Sequence, residues 1–209
     1  TMSYMFRFAT VFNGDISSWD VSNVTTMYYM FHATDTFNQP IGNWDVSSVT
    51  DMERMFHQTG NFNQPLNDWN VSSVTDMKGM FYGALAFNQD IGGWDVSNVT
   101  RMYYMFDYSA LSTNNYDNVL IAWSQQNLQD NVSFSAAGIY YCNAEEERQS
   151  IIDNYGWIID DEGLDPTCST VTCDLDDSNI HAAVDLWISD QATAEATYGH
   201  ISTWDTSCV

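Results

Sequence analysis

The sequence predicts an α/β solenoid, a coil of about 25 residues per turn with short parallel strands, closed by small α/β and helical capping modules. Three observations carry this. Trp19, Trp44, Trp69 and Trp94 are spaced by 25 residues, and Phe12, Phe37, Phe62 and Phe87 keep the same step. So do the pairs Met5-Phe6, Met30-Phe31, Met55-Phe56, Met80-Phe81 and Met105-Phe106. All 10 methionines fall in two columns, these pairs and the positions three residues ahead of them, Met2, Met27, Met52, Met77 and Met102. The unit reads FNQ-x-I-x-x-WDVS-x-VT-x-M-x-x-MF.

One such unit cannot bury its apolar residues alone. Stacked units put equivalent residues about 4.8 Å apart, the spacing of strands in a parallel sheet. Ile16, Ile41, Leu66 and Ile91 then form one inner ladder, and Val24, Val49, Val74 and Val99 another. The Met-Phe pairs fill the remaining core, with methionine tolerating imperfect packing. The stretch V-T-x-M has the β-branched character and alternation of a strand. The tryptophan column admits two readings, a carbohydrate-binding platform or an edge-to-face core ladder. Its phase, three residues after each Ile, favours the core. Asp20, Asp45, Asn70 and Asp95 follow the tryptophans. A carboxylate column suits calcium, but Asx side chains that accept backbone N–H groups in tight turns explain it as well and tolerate Asn70. Asn13, Asn38, Asn63 and Asn88 predict an internal ladder that satisfies backbone groups at a corner.

The repeat occupies residues 1–111. Residues 112–167 form a capping module. There Asn118–Gln126 has helical periodicity with Thr113 or Asn114 as N-cap, and Asn131–Phe134 reads as a strand. Ala144–Tyr155 is a helix with acids in its first turn, Ile151 and Ile152 inward and Gly156 as its stop, and Trp157–Ile159 is a second strand. Residues 168–177 read as a linker. Residues 178–209 carry two helices, Ile180–Ile188 and Gln191–Tyr198, the second capped by Asp190 and Gly199. They end on half a repeat, with Trp204 in the tryptophan place. That closing half, Ile201 to Val209, matches the opening half, Thr1-Met2 to Phe6, with one residue missing at the junction. The expectation is a helical cap and first half-coil of a next module, so that copies assemble head-to-tail with Val209 meeting Thr1 and Met2.

Composition excludes several function classes. Five Lys and Arg stand against 28 Asp and Glu, a formal charge of −23, which repels the phosphates of nucleic acid. No run of 18 apolar residues is present, so no membrane span is expected, and no signal peptide is read. Cys142, Cys168, Cys173 and Cys208 lack zinc spacing, and their even number points to two disulfides in an oxidising compartment. Asn23, Asn70, Asn98 and Asn131 begin glycosylation sequons. Asp174, Asp176 and Asp177 are weak calcium candidates, since the run lacks the Gly and distal Glu of an EF-hand; no other cofactor is expected. Glu145–Glu147 and the run Asp160, Asp161, Glu162 lie at element ends, where solvated acids are ordinary, and His32, His57, His181 and His200 share no cluster. His32 and His57 are expected at the surface. No catalytic motif appears, and the chain reads as a non-enzyme.

The unit WDVSNVTTMYYMF, with its FNQPIGNWDVS lead-in, resembles the 26-residue repeat of bacterial surface proteins, the BspA-like branch of the leucine-rich repeats. The resemblance covers residues 1–111 and the half-repeat 201–209. It implies a right-handed, leucine-rich-repeat-like coil on a secreted or cell-surface protein associated with adhesion, and it brings no catalytic residues. Residues 112–167 resemble the region that follows such repeats, with Cys142 and Cys168 as its staple. Two functions follow as expectations. One is a structural unit of an extracellular filament or surface appendage. The other is an adhesin or recognition module whose protein or glycan partner meets Tyr28-Tyr29, Glu53-Arg54, Lys78-Gly79 and Tyr103-Tyr104 on the strand face.

Overall fold

The computed structural model describes residues 1–168, 180–191, 193 and 194. The chain forms two compact units, Thr1–Asp165 and the residues from Pro166 onward. Trp204, Val209, Cys173, Cys208, Asp174, Asp176 and Asp177 lie outside the described residues, as does most of the helix expected at 191–198.

In the first unit each 25-residue repeat is hydrogen-bonded to the next. The N–H groups of Met27, Tyr29, Phe31 and Ala33 donate to the carbonyls of Asp51, Glu53, Met55 and His57 at 2.8–3.0 Å. The equivalent residues of the first, third and fourth repeats do the same with their own successors. The intervening N–H groups turn back within the repeat: Met30 donates to Met27, His32 to Tyr29 and Thr34 to Phe31. The polypeptide thus turns a corner every few residues and still satisfies its backbone. Where V-T-x-M suggested a strand, each repeat contributes a single parallel bridge residue, Thr26, Asp51, Asp76 and Arg101 in turn. A strand needs several successive residues in the extended region, and the tight turns that begin at Met27 and its equivalents end it at once.

Inside the stack Phe31 lies 4.0 Å from Phe37, Phe56 4.2 Å from Phe62 and Phe81 3.9 Å from Phe87, each pair nearly parallel. Neighbouring repeats follow at 5.6 Å (Phe31 to Phe56, Phe56 to Phe81). Trp44, Trp69 and Trp94 are buried, whereas Trp19 in the first repeat is 37% exposed. The indoles do not meet edge to face: Trp69 and Trp94 are 7° from parallel at 6.4 Å. The cause is their N–H bond. Nε1 of Trp44, Trp69 and Trp94 donates to the carbonyls of Ile16, Ile41 and Leu66 in the preceding repeat, which holds every ring at one tilt. Met30, Met55, Met80, Met105, Phe31, Phe56, Phe81 and Phe106 are wholly buried. At the corners Asp20, Asp45, Asn70 and Asp95 accept from the N–H and Oγ of the serine two residues on. Asn13, Asn38 and Asn63 each accept from the N–H of the next asparagine, and Asn88 accepts from Ser112.

The segment after the repeats shares the same core. Helix α1 (Thr113–Ser124) is capped by Ser112, whose side chain accepts from Asn115, one residue before the expected caps. Strand β1 (Ser133–Ser135) pairs in parallel with β2 (Ile158–Asp160). Between them α2 (Glu145–Tyr155) ends on Gly156 in the left-handed region. Met102 bridges to Phe134, Phe106 N–H donates to Ser135, and Trp157 Nε1 donates to the Gln129 carbonyl 28 residues back, the same interval as in the tryptophan ladder. The cap is therefore two further turns of the stack, the first widened by α1. Asp117 fixes the turn before α2 by accepting from the N–H groups of Cys142 and Asn143.

In the second unit α3 (Ile180–Ser189) is followed by Asp190, which accepts from the N–H and Oγ1 of Thr193 and so starts a new helical turn.

Phe56 packs against Phe31, Phe62, Trp69 and Phe81, so Phe56→Ala removes contacts in three repeats at once. A loss of about 3–5 kcal/mol is expected, read from the urea midpoint.

Candidate functional site

Backbone strain marks one face of the stack. Among the described residues nine non-glycine residues have positive φ, and eight of them fall in two columns: Tyr4, Tyr29, Arg54 and Tyr104, then Phe8, Ala33, Gln58 and Tyr108. Each sits third in a turn, as Tyr29 does between Met27 and Met30. Glycine is the ordinary residue there, and a bulky one costs about 1–2 kcal/mol. The strain aims N–H groups at the next repeat, and it turns side chains outward: Tyr4, Phe8, Tyr104 and Tyr108 are 48–60% exposed. The fold needs the backbone conformation but not these side chains.

Cations gather on the same face. Arg7, Arg54, Lys78 and Arg101 are four of the chain's five Lys and Arg residues. Arg7 lies over the rings of Tyr4, Phe8 and Tyr29, Arg54 over Tyr29 with its guanidinium donating to the Tyr29 hydroxyl, and Lys78 over Tyr103 at 4.7 Å. Such pairs hold the aromatic rings in place. Glu53, expected on the surface, is buried at the centre of this network, with Lys78 at 3.2 Å, Arg54 at 3.3 Å and Arg101 at 3.8 Å. Three cations around one carboxylate offset its desolvation. Burial raises the Asp76 carboxyl above the ordinary range, against the Lys78 N–H and the Arg101 guanidinium.

His32 and His57 are not surface residues either. His32 is buried, and the two rings lie 4.6 Å apart because equivalent positions of successive repeats are stacked. Neither Nδ1 has a hydrogen-bond partner. Burial first, then His32 and Arg54, lowers His57 to about 4. Burial and the charges of Arg7 and Arg54 lower His32. His57 in turn lies flat on Tyr82 at 4.6 Å. Beside it a cavity of about 440 Å³ opens, lined by Arg54, His57, Gln58, Tyr82, Tyr104, Asp107 and Tyr108.

Other candidates have structural partners. Asp161 accepts from Arg148 at 2.8 Å and from the buried Tyr116 hydroxyl at 2.7 Å, and Glu162 accepts from the Gly138 N–H. Glu145, Glu146 and Glu147 fill the first turn of α2, where its N–H groups favour acids. Cys142 and Cys168 are disulfide-bonded, so neither offers a thiolate to a metal. Asn23, Asn70, Asn98 and Asn131 are exposed. Thr1 and Met2 lie at the leading edge of the first repeat, where Met2 N–H donates to Thr26. Among the described residues no helix is long and apolar enough to cross a membrane. The left-handed columns had one trace in the sequence: Gly79 and Gly83 occupy them in the fourth repeat.

Similar units bonded in series define a tandem-repeat protein. The chain belongs to the family described as Mycoplasma protein of unknown function, DUF285, which matches residues 1–123. No curated protein and no solved structure matches the chain.

Two outcomes are expected here. Ala33→Gly relieves a left-handed alanine and raises stability by about 1 kcal/mol in urea unfolding. Separately, His57 stays neutral in the fold, facing His32, Tyr82 and the Arg54 charge, but protonates in the unfolded chain. The unfolded state then binds more protons between pH 6.5 and about 4, so the His57 contribution to stability falls as pH drops through that window and levels off below it. Discounted for solvent screening of the half-buried ring, the loss from His57 is about 2 kcal/mol, and His57→Phe removes its share of the slope while that of His32 remains.

Proposed function

We propose that this protein is a recognition module of an extracellular or cell-surface protein, binding a protein or glycan partner through its aromatic and cationic face. The observation that carries the reading is the set of bulky residues held in left-handed backbone where glycine costs less. Exposed Tyr and Arg at positions the core does not require are what binding surfaces use, because such side chains give large contacts at small entropic cost. The reading takes the stack as a right-handed, leucine-rich-repeat-like solenoid with short parallel strands, an architecture that presents a long continuous face. Disulfide-bonded cysteines and the family support an oxidising, external setting. Catalysis has no role in this reading.

A second reading, a structural unit joined head-to-tail to copies of itself in a filament or surface appendage, rests on a different observation. The carbonyls of Thr26, Tyr28, Met30 and His32 accept N–H groups from the first repeat. Thr1, Ser3, Met5 and Arg7 hold the equivalent places at the leading end, beside exposed Met5, Phe8, Val11 and Trp19. Any further repeat meets there the pattern that every interior repeat meets.

The test is retention of labelled protein on arrays of extracellular-matrix proteins and of glycans. Under the recognition reading the protein is retained on at least one array, and Tyr4→Gly with Tyr104→Gly weakens retention at least about tenfold without lowering the urea midpoint. Retention on neither array, or retention unchanged in the variant, overturns it.

A further inference from the structure

We infer that the cavity beside Tyr82 is a binding site for one neutral pyranose ring of a glycan. This deepens the recognition reading and rests on it. The cavity has a definite origin. In four repeats the two left-handed columns carry side chains, and in the fourth repeat both are glycine, Gly79 and Gly83. Two side chains are missing from one row, while Arg54 and Gln58 stand on one side of the gap and Tyr104 and Tyr108 on the other. A Cβ on Gly79 would come within 3.1 Å of Arg54 Cγ, and one on Gly83 within 3.4 Å of Gln58 Cγ, so the missing side chains would occupy this gap.

The volume of about 440 Å³ suits one small ring rather than a buried chain. Tyr104 and Tyr108 meet Tyr82 at 84° and 82°, and His57 backs the Tyr82 ring, so the aromatic groups form a corner with accessible faces. The negative face of such a ring attracts the weakly positive C–H edge of a sugar. Around the corner stand a guanidinium (Arg54), an amide (Gln58) and a carboxylate (Asp107), donors and acceptors together, as hydroxyl groups require. Asp107 is fixed in place, its Oδ1 accepting from Ser135 Oγ and from the Ala137 N–H at 3.1 Å. The carboxylate in the wall and the overall charge of −23 select against a phosphate or a polyanion. The mixture of charged and aromatic walls selects against a purely apolar ligand.

The experiment titrates the full chain with oligosaccharides built from hexoses, deoxyhexoses or N-acetylhexosamines, with uronate oligomers alongside, followed by calorimetry and ligand-observed NMR. Gly83→Asn closes the gap with a residue that accepts left-handed backbone, and circular dichroism and the urea midpoint confirm that it folds. The expected result is a Kd below about 10 mM for at least one neutral sugar, weakened at least about tenfold by Gly83→Asn and by Tyr108→Ala but not by Tyr29→Ala. Absence of sugar binding by the parent chain, binding of uronates alone, or equal affinity in Gly83→Asn overturns the assignment. If the protein is retained on matrix-protein arrays and binds no sugar, this site is refuted while the recognition reading stands. If neither occurs, both fail.

Discussion

Everything in the first unit depends on where the backbone N–H groups go. Four of them in each repeat, at alternate residues, reach the carbonyls of the next repeat, and those between them close turns within their own. No repeat satisfies its backbone alone, and an unpaired buried N–H costs as much as several favourable contacts return. The period therefore cannot drift, and the side-chain columns follow from it. Indoles tilt together because each donates to the same carbonyl of the preceding repeat, phenylalanines stack because their Cα atoms do, and asparagines pass one hydrogen bond along the corner.

That constraint explains what the sequence revealed and what it hid. A period of 25 gives the phase of every interior column, so the residues filling the core at Met55, Phe56 and Trp69 could be named from their spacing. Spacing does not reveal the sign of φ. Tyr29 and Arg54 look like ordinary surface residues in a list of letters, and glycines at Gly79 and Gly83 were the one trace of the conformation all eight share. Nor does spacing reveal neighbours across repeats. His32 and His57 are 25 residues apart and shield each other, and Glu53 is buried because cations from its own and the following two repeats close over it. The cap escaped the pattern because α1 widens one turn, after which Trp157 resumes the tryptophan bond at its usual interval of 28 residues.

Charge is distributed with the same division of labour. Acids cover the corners, where Asp15, Asp20 and Asp45 are held below the usual carboxylate range by serine hydroxyl and N–H donors. These acids keep a strongly negative chain soluble and hold like-charged molecules away. The face with Arg7, Arg54, Lys78 and Arg101 is the exception, and there the cations are locked over tyrosine rings and around Glu53 rather than left mobile. Groups on that face are thus ordered in advance, and any contact made there would cost less side-chain entropy.

The separation of the two left-handed columns from the core has a genetic consequence. Their backbone role is filled by the peptide group alone, so the inter-repeat bonds form whichever side chain stands there, as Tyr, Arg, Gly, Phe, Ala and Gln show at these places. An in-frame duplication of one repeat therefore copies a working scaffold row together with its displayed pair. Later point mutations in that pair change what is displayed and leave the scaffold as it was.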